Sequence, residues 1–166
     1  HEEFQAEGQR IDELIVRHFA GHPAILGWQI DNEVGSGSDC YCERCVAAFR
    51  EYLRDKYGTV EHLNAAWGDH FWSARYSDFA EVPRPGGRHP QLAMEYRRFL
   101  SKTNLDFARR RLELIHRLDP GKFVTTNCQS IRSQHTDWQE MCRLLDVPEC
   151  NHYPFRSSPL LVDLYR

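Results

Sequence analysis

An amide and a carboxylic acid, Asn32 and Glu33, stand side by side directly after a short apolar run. The run from Ile25 to Ile30 is typical of a buried parallel strand, and the glycines and serines at 35–38 predict that a loop follows it. Glu33 should therefore project from the carboxyl end of a strand, where a carboxyl group can exchange a proton with a bound molecule. A second interpretation of the same pair is a helix-capping Asn beside a solvated Glu.

Three thiols lie close together a little further along the chain, at Cys40, Cys42 and Cys45. A cluster this compact can place three sulfurs around one tetrahedral zinc ion, with a fourth ligand from elsewhere. The thiols are too close together for a simple disulfide framework, and metal binding in a reducing compartment fits them better. We therefore expect a zinc site and a cytoplasmic location. The other cysteines are expected to be small buried side chains: Cys128, Cys142 and Cys150.

These motifs, in this order, resemble the β-galactosidases of glycoside hydrolase family 42. The resemblance rests first on residues 22–33 followed by the three cysteines. Further matching stretches are residues 63–68, 71–73, 124–127 and 153–154. The resemblance implies an α/β fold, a (β/α)8 TIM barrel in which catalytic groups lie at the carboxyl ends of the strands. This chain would supply about strands four to six of that barrel with their helices.

The pattern of the whole chain predicts alternating helices and strands, as parallel βαβ units require. Helices are predicted at about 11–19, 46–57, 90–118 and 138–145. Strands are predicted at 25–30, 123–127 and 147–152. The segment 59–88 has short helical pieces and resembles an elaborated loop above a barrel. A complete barrel needs roughly 250 residues, whereas this chain has 166, so we expect part of the catalytic domain of a longer enzyme.

The resemblance also implies roles for single residues. Glu33 would be the general acid/base of a retaining β-galactosidase, and Asn32 would donate a hydrogen bond to the 2-hydroxyl of the sugar. The nucleophile, a Glu on the seventh strand in this family, would lie beyond the end of the chain. Tyr153 resembles a tyrosine that lines the sugar site, and Trp72 is expected to contact the substrate. The family usually carries an acidic residue shortly before that tyrosine, whereas this chain has Asn and His at 151–152.

The resemblance extends to the metal and the assembly. A zinc ion would be structural, because a two-carboxylate mechanism needs no metal. Its fourth ligand would come from a cysteine outside this chain, on the preceding part of the enzyme. Members of the family vary in having this site. The expected substrate is a galactoside, and because trimers are known in the family, a homotrimer is one expectation for the full-length enzyme.

The composition argues against two other kinds of partner. The formal net charge is −3, with 21 basic and 24 acidic side chains of scattered sign, whereas nucleic acid calls for a basic face. No apolar run approaches the length of a membrane span. Two alternatives remain for the function. One is a carbohydrate-binding pseudoenzyme, a barrel that kept Asn32 and the aromatic residues but lost turnover. The other is a small zinc-stabilised interaction module in which Glu33 is incidental.

Overall fold

The computed structural model describes residues 2–37, 39–68, 75–86, 89–128 and 135–151. The chain divides into two units, which are described separately below. The first unit comprises His1–Gly37 and Ser101–Arg166, and the second comprises Ser38–Leu100. Asn32 and Glu33 belong to the first unit and the three clustered cysteines to the second.

The helices and strands alternate along the described chain much as the sequence predicts. The helices are α1 (Glu2–Phe19), α2 (Glu43–Tyr57), α3 (Val60–Trp67), α4 (Pro90–Leu118) and α5 (Trp138–Leu144), and a 3-10 turn lies at Phe79–Glu81. The strands are β1 (Gly27–Gln29), β2 (Phe123–Thr125), β3 (Asn127–Cys128) and β4 (Glu149–Cys150). The strands are shorter than predicted, while α1 begins nine residues earlier than its apolar stripe suggests.

All strand pairing in the described residues is parallel. Strand β1 pairs with β2, with Gly27 opposite Phe123. Strand β3 pairs with β4, with Asn127 opposite Glu149. Only Thr126 separates β2 from β3, so one stretch of chain pairs with a different neighbour on each side of this residue. Parallel pairs joined by helices agree with the predicted βαβ units.

The core of the first unit forms where helices pack on these strands. Its buried side chains are Val16, Ile30, Val34, Ala108, Ile115, Val124, Met141 and Leu145. Trp28 packs against this core and donates a hydrogen bond from its indole Nε1 to Oδ2 of Asp119, at 2.9 Å. The backbone N–H of Gly21 donates to the other oxygen of Asp119 at 3.0 Å. The carboxylate of Asp119 therefore links the end of α4 to the loop before β1.

The second unit is helical in its described part and has a core of its own. The buried side chains are Phe49, Leu53, Leu63, Trp67, Phe79, Val82, Leu92 and Tyr96. Trp67, in the segment predicted to be an elaborated loop, is only 4% exposed and belongs to this core. Glu95 is only 2% exposed, and its carboxylate accepts hydrogen bonds from Lys56 and Arg98. Pairing of this kind is what allows a carboxylate to be buried.

Candidate active site and cysteine cluster

Glu33 lies just beyond the carboxyl end of a parallel strand. The strand pairing continues for one residue past β1, where the backbone N–H of Ile30 donates to the carbonyl of Thr125 at 3.0 Å. The chain then leaves the sheet, and Glu33 is half-buried. The carbonyl of Glu33 accepts a hydrogen bond from the N–H of Ser36 at 2.9 Å, which closes a turn. Glu33 thus follows a strand that pairs in parallel with β2, in agreement with its predicted position at the carboxyl end of a strand.

The two residues that follow Glu33, Val34 and Gly35, pack tightly against other residues of the first unit. Val34 is buried in the core, and its carbonyl accepts a hydrogen bond from Oγ1 of Thr136 at 3.1 Å. Gly35 has a φ of 84°, and a Cβ atom at this position would collide with Asn104 and Thr136. A glycine is therefore required here for both backbone conformation and space. These contacts fix the backbone immediately after Glu33.

Glu33 has an unusual backbone conformation. Its φ is 53°, and no other non-glycine residue in the described ranges has a positive φ. A left-handed conformation costs an L-residue with a Cβ roughly 1–2 kcal/mol. Such conformations persist where surrounding contacts hold them, and they are frequent at functional sites. Hydrogen bonds from neighbouring residues must therefore offset the conformational cost of the positive φ of Glu33.

Asn127 supplies those contacts. Its side chain is almost fully buried, at 4% exposure. Its Oδ1 accepts hydrogen bonds from the backbone N–H of Glu33 and from Nε2 of Gln29, both at 3.0 Å. Its Nδ2 donates to Oδ1 of Asn32 and to Oδ1 of Asn151, both also at 3.0 Å. Because an amide has two donor hydrogens and accepts two bonds on its oxygen, the hydrogen-bonding capacity of Asn127 is completely used.

Asn151 completes the link to the carboxylate of Glu33. While its Oδ1 accepts from Asn127, its Nδ2 donates a hydrogen bond to Oε1 of Glu33. The structure thus brings Asn32 and Glu33 together with two further amides, on the stretches that begin β3 and follow β4. Neither Asn127 nor Asn151 was predicted to take part in the site. An available signal was that both residues lie at the carboxyl ends of predicted strands, as Glu33 does.

Strand alternation would place Asp31 and Glu33 on the same side of one strand, but the structure does not continue the strand that far. The strand ends at Gln29, and Asp31 is exposed. The carboxylate of Asp31 accepts a hydrogen bond from the backbone N–H of Asn32 at 2.7 Å. Its carbonyl accepts from the hydroxyl of Thr126 at 3.0 Å. Asp31 therefore supports the turn before Glu33.

In the second unit, the three predicted zinc ligands come together. The Sγ atoms of Cys40, Cys42 and Cys45 all lie within 4.8 Å of one another. Three sulfurs at this separation fit around one zinc ion at about 2.3 Å each. No fourth His, Cys, Asp or Glu joins the group among the residues that the structure describes. The cluster could thus hold a metal ion if one more ligand came from elsewhere.

Residues around the three cysteines hold the backbone of Cys40 and shift the pKa values of the Cys42 and Cys45 thiols. The buried Tyr96 donates a hydrogen bond from its hydroxyl to the carbonyl of Cys40, and its ring stacks on Tyr41 with centroids 5.2 Å apart. Cys42 directly precedes α2, and the backbone N–H of Cys45 holds the pKa of the Cys42 thiol below its usual value. Burial raises the pKa of Cys45 to about 12, and the neighbouring thiols contribute.

The remaining cysteines only partly match expectation. None of the six cysteines forms a disulfide. Cys128 is buried, as predicted, and Cys150 is half-buried. Cys142 is exposed, so the prediction that it is a small core residue is wrong. The short helix α5 directs Met141, its one buried residue, into the core, and this leaves the next position facing outwards.

Two predicted substrate contacts, Trp72 and Tyr153, lie outside the described residues. In the part of the chain that the structure describes, no helix is long and apolar enough to cross a bilayer.

Comparison with protein families identifies the group to which this chain belongs. The family model described as β-galactosidase of glycoside hydrolase family 42 matches residues 1–162. The chain therefore belongs to the glycoside hydrolase family 42 β-galactosidases. Structures of this family have a TIM-barrel catalytic domain, and the α/β content of the chain is consistent with such a domain.

Individual relatives support the same assignment. The β-galactosidase Bga of Halorubrum lacusprofundi is 40% identical over 130 residues, which cover 75% of this chain and 19% of that protein. A β-galactosidase of Thermus thermophilus is 37% identical over 164 residues, covering 95% of this chain and 25% of the relative. The chain thus spans about a fifth to a quarter of the length of these curated relatives.

Solved structures resemble the chain over nearly its whole length. The β-galactosidase from the Antarctic haloarchaeon Halorubrum lacusprofundi has a TM-score of 0.84 at 35% identity, covering 93% of this chain and 24% of that structure. The enzyme from the psychrophilic Marinomonas ef1 has a TM-score of 0.85 at 31% identity, covering 95% and 25%.

Proposed function

We propose that the full-length protein is a retaining β-galactosidase and that this chain supplies about strands four to six of its (β/α)8 catalytic barrel. The match to the family and the names of the relatives support the activity. The single observation that carries the proposal is the position of the half-buried Glu33 just beyond a parallel strand, where Asn127 accepts a hydrogen bond from its backbone N–H and Asn151 donates one to its carboxylate.

In this proposal Glu33 is the general acid/base. It protonates the oxygen of the departing group in the first step and removes a proton from water in the second. Oε1 of Glu33 accepts a hydrogen bond from Asn151, so this oxygen presents a lone pair rather than a proton. The exchanged proton is therefore assigned to Oε2. The nucleophile is a second carboxylate beyond the end of this chain, about 5–5.5 Å from Glu33, as retaining enzymes require.

Asn32 is proposed to donate a hydrogen bond to the 2-hydroxyl of the sugar. Its Oδ1 accepts from Nδ2 of Asn127 at 3.0 Å, which sets the orientation of the Asn32 amide. With the oxygen held in this way, the exposed Asn32 can offer its Nδ2 to a ligand. Hydrogen bonds to the 2-hydroxyl strengthen in the transition state of such reactions. Tyr153 and Trp72 are proposed as further contacts to the galactoside.

A structural zinc ion is proposed at Cys40, Cys42 and Cys45. The proximity of their Sγ atoms, all within 4.8 Å of one another, supports it. The fourth ligand is proposed to come from a part of the enzyme outside this chain. Three thiolates around a zinc ion would cross-link the loop that leads into α2 and stabilise it. A cytoplasmic location, which suits reduced thiols, and a homotrimeric assembly are proposed as well.

The experiment that tests the activity uses the full-length protein with Glu33→Gln, which removes the proton donor while preserving shape. Alkyl galactosides, which have poor leaving groups, should be hydrolysed about 10²–10⁴-fold more slowly than by the unsubstituted enzyme. Activated aryl galactosides should be affected far less in the first step, because their leaving groups need little protonation. Added azide should partly restore turnover of the aryl substrate and yield β-galactosyl azide, the product of attack on a glycosyl-enzyme.

A matched control for this experiment is Glu140→Gln. Glu140 is an exposed carboxylate on α5 that pairs with Arg143, and its loss should leave both substrates unaffected. Equal losses on the two substrates for Glu33→Gln would refute the acid role. An inactive full-length protein that still binds galactose would favour the pseudoenzyme. The isolated 166-residue chain should hydrolyse neither substrate, and activity in it would place the nucleophile within this sequence.

A further inference from the structure

The amide of Asn127 connects Glu33, the proposed acid/base, with Asn32, the proposed contact to the sugar 2-hydroxyl. Through Oδ1 it accepts a hydrogen bond from the backbone N–H of Glu33, and through Nδ2 it donates one to the side chain of Asn32. Its second donor hydrogen reaches Asn151, whose own amide donates to the carboxylate of Glu33. The backbone and the side chain of Glu33 are therefore both held, directly or through one intermediary, by the same buried amide.

The arrangement also determines which atoms face a ligand. Because Nδ2 of Asn127 is a donor, it requires the oxygen of Asn32 on its side, and the Nδ2 of Asn32 must then point elsewhere. In the same way it requires the oxygen of Asn151, so that the Nδ2 of Asn151 is the group that meets Glu33. If an acceptor replaced this Nδ2 donor, Asn32 and Asn151 would each have to turn the amide by 180° and donate to it.

We propose that Asn127 is a positioning residue for the glycosidase reaction, which orients the Asn32 amide toward the sugar 2-hydroxyl and, together with Asn151, fixes the Glu33 carboxylate for proton transfer. The inference rests on the proposed function, because it specifies how that same site is kept ready. It assigns Asn127 no contact with substrate. The side chain is buried, and all four of its hydrogen bonds are made within the protein.

The first test uses Asn127→Asp in the full-length enzyme. This substitution keeps the shape and the acceptor oxygens but removes the Nδ2 donor. Asn32 and Asn151 should then turn their amides to donate to the new carboxylate, and Asn32 would present an oxygen to the sugar. The preference for a galactoside over the corresponding 2-deoxygalactoside, measured as a ratio of kcat/KM values, should fall about tenfold, the size of one hydrogen bond.

The second test uses Asn127→Ala and Asn151→Ala, which release the carboxylate of Glu33. Misplacement of a catalytic group by about 1 Å can cost roughly 10²-fold in rate. Both variants should therefore slow alkyl galactosides at least about tenfold more than activated aryl galactosides. Asn151→Ala should leave the 2-deoxygalactoside ratio unchanged, because Asn151 contacts Glu33 and not Asn32. Asn151 is only half-buried, so its replacement should be tolerated by the fold. Asn151→Ala therefore tests whether the amides fix the Glu33 carboxylate even if Asn127→Ala does not fold.

Asn64 provides the matched control. It is also a buried asparagine, at 5% exposure, and its amide bonds the backbone of Tyr76 through both Nδ2, at 2.8 Å, and Oδ1, at 3.0 Å. Asn64→Asp and Asn64→Ala should lower stability but leave both ratios unchanged. Ratios that stay constant in the Asn127 and Asn151 variants, or that change equally in the Asn64 variants, would overturn the positioning role.

A structural readout separates failure of this inference from failure of the proposed function. If the full-length protein hydrolyses no galactoside, or Glu33→Gln has no effect, the proposed function fails on those measurements. Crystal structures of the full-length protein and of its Asn127→Asp variant still test the positioning role. In the variant, the side-chain amides of Asn32 and Asn151 should each be turned over, so that Nδ2 faces residue 127. If Asn32 and Glu33 keep their conformations in that variant, Asn127 does not position them.

Discussion

The backbone N–H of Glu33 donates a hydrogen bond to Oδ1 of Asn127 at 3.0 Å, and Glu33 holds a φ of 53° at this point. The two observations belong together, because the left-handed conformation is costly for a residue with a side chain and the buried acceptor favours it. After Glu33 the backbone is held by two further hydrogen bonds. The N–H of Ser36 donates to the carbonyl of Glu33, and the hydroxyl of Thr136 donates to the carbonyl of Val34. The proposed catalytic carboxylate is thus maintained in a conformation that its own backbone disfavours.

This strain predicts a gain in stability when Glu33 is replaced by glycine. Compared with Glu33→Ala, Glu33→Gly should raise the free energy of unfolding of the full-length protein by about 1 kcal/mol, since glycine adopts a positive φ without penalty. Both variants lose the carboxylate, so the difference between them reports the backbone alone. Denaturant unfolding followed by fluorescence measures it.

A matched pair at Asp31 controls for the general effect of glycine. Asp31 does not have a positive φ, so Asp31→Gly should be less stable than Asp31→Ala by about 0.5–1 kcal/mol. If the Glu33 pair shows the same order as the Asp31 pair, the left-handed conformation of Glu33 is not a source of strain.

The proposed zinc site predicts how metal content depends on single thiols. Full-length protein purified without chelators should contain about one zinc ion per chain. Cys45→Ser removes one of the three clustered sulfurs and should lower the zinc content to well below half of that value, as measured by mass spectrometry of the metal. The thermal midpoint should fall with it, because binding of a structural metal contributes to folding.

Cys142→Ser is the control for this prediction. Cys142 is an exposed thiol that belongs to no cluster in the described residues, and its replacement should leave the zinc content unchanged. Absence of zinc from the unsubstituted protein, or equal zinc in the Cys45→Ser variant, would contradict the site.

Sequence periodicity and breaker residues located several elements closely. Helix α4 occupies Pro90–Leu118, the range predicted from its apolar spacing and from the Asp-Pro-Gly that ends it. Both signals are local, since one depends on the 3.6-residue repeat and the other on backbone restrictions. The apolar stripe of α1 predicted the helix only from residue 11, whereas it begins at Glu2, and Ile11, Leu14 and Ile15 of that stripe are exposed. Periodicity identifies the apolar face of a helix, but it does not say what packs against that face.

The site was predicted less completely than the elements. Glu33 and the three clustered cysteines follow from short motifs, so the sequence alone was enough to select them. The role of Asn127 depends on a hydrogen bond to a residue 94 positions away, and no local pattern encodes such a contact. The left-handed turn at Glu33 was missed for a related reason, because an isolated Glu has no preference for a positive φ. Contacts between distant segments impose that conformation.

The pair formed by Trp28 and Asp119 should make the stability of the fold depend on pH in the acid range. The indole N–H of Trp28 is the main cause that holds the pKa of the Asp119 carboxyl below its usual value, and the N–H of Gly21 and the charge of Lys122 add to it. A carboxyl with a lower pKa in the folded state stabilises the fold above its unfolded pKa of about 3.9. This contribution is lost as the pH falls through the folded pKa.

Asp119→Asn should therefore lower the thermal midpoint of the full-length protein most near pH 6–7, and the difference from the unsubstituted protein should shrink as the pH falls below about 4. Trp28→Phe removes the main donor while keeping a ring in the core. In that background, Asp119→Asn should cost less at neutral pH than it does with Trp28 present, which a double-mutant cycle measures. A deficit that grows on acidification, or one that is independent of Trp28, would show that this hydrogen bond does not set the pKa of Asp119.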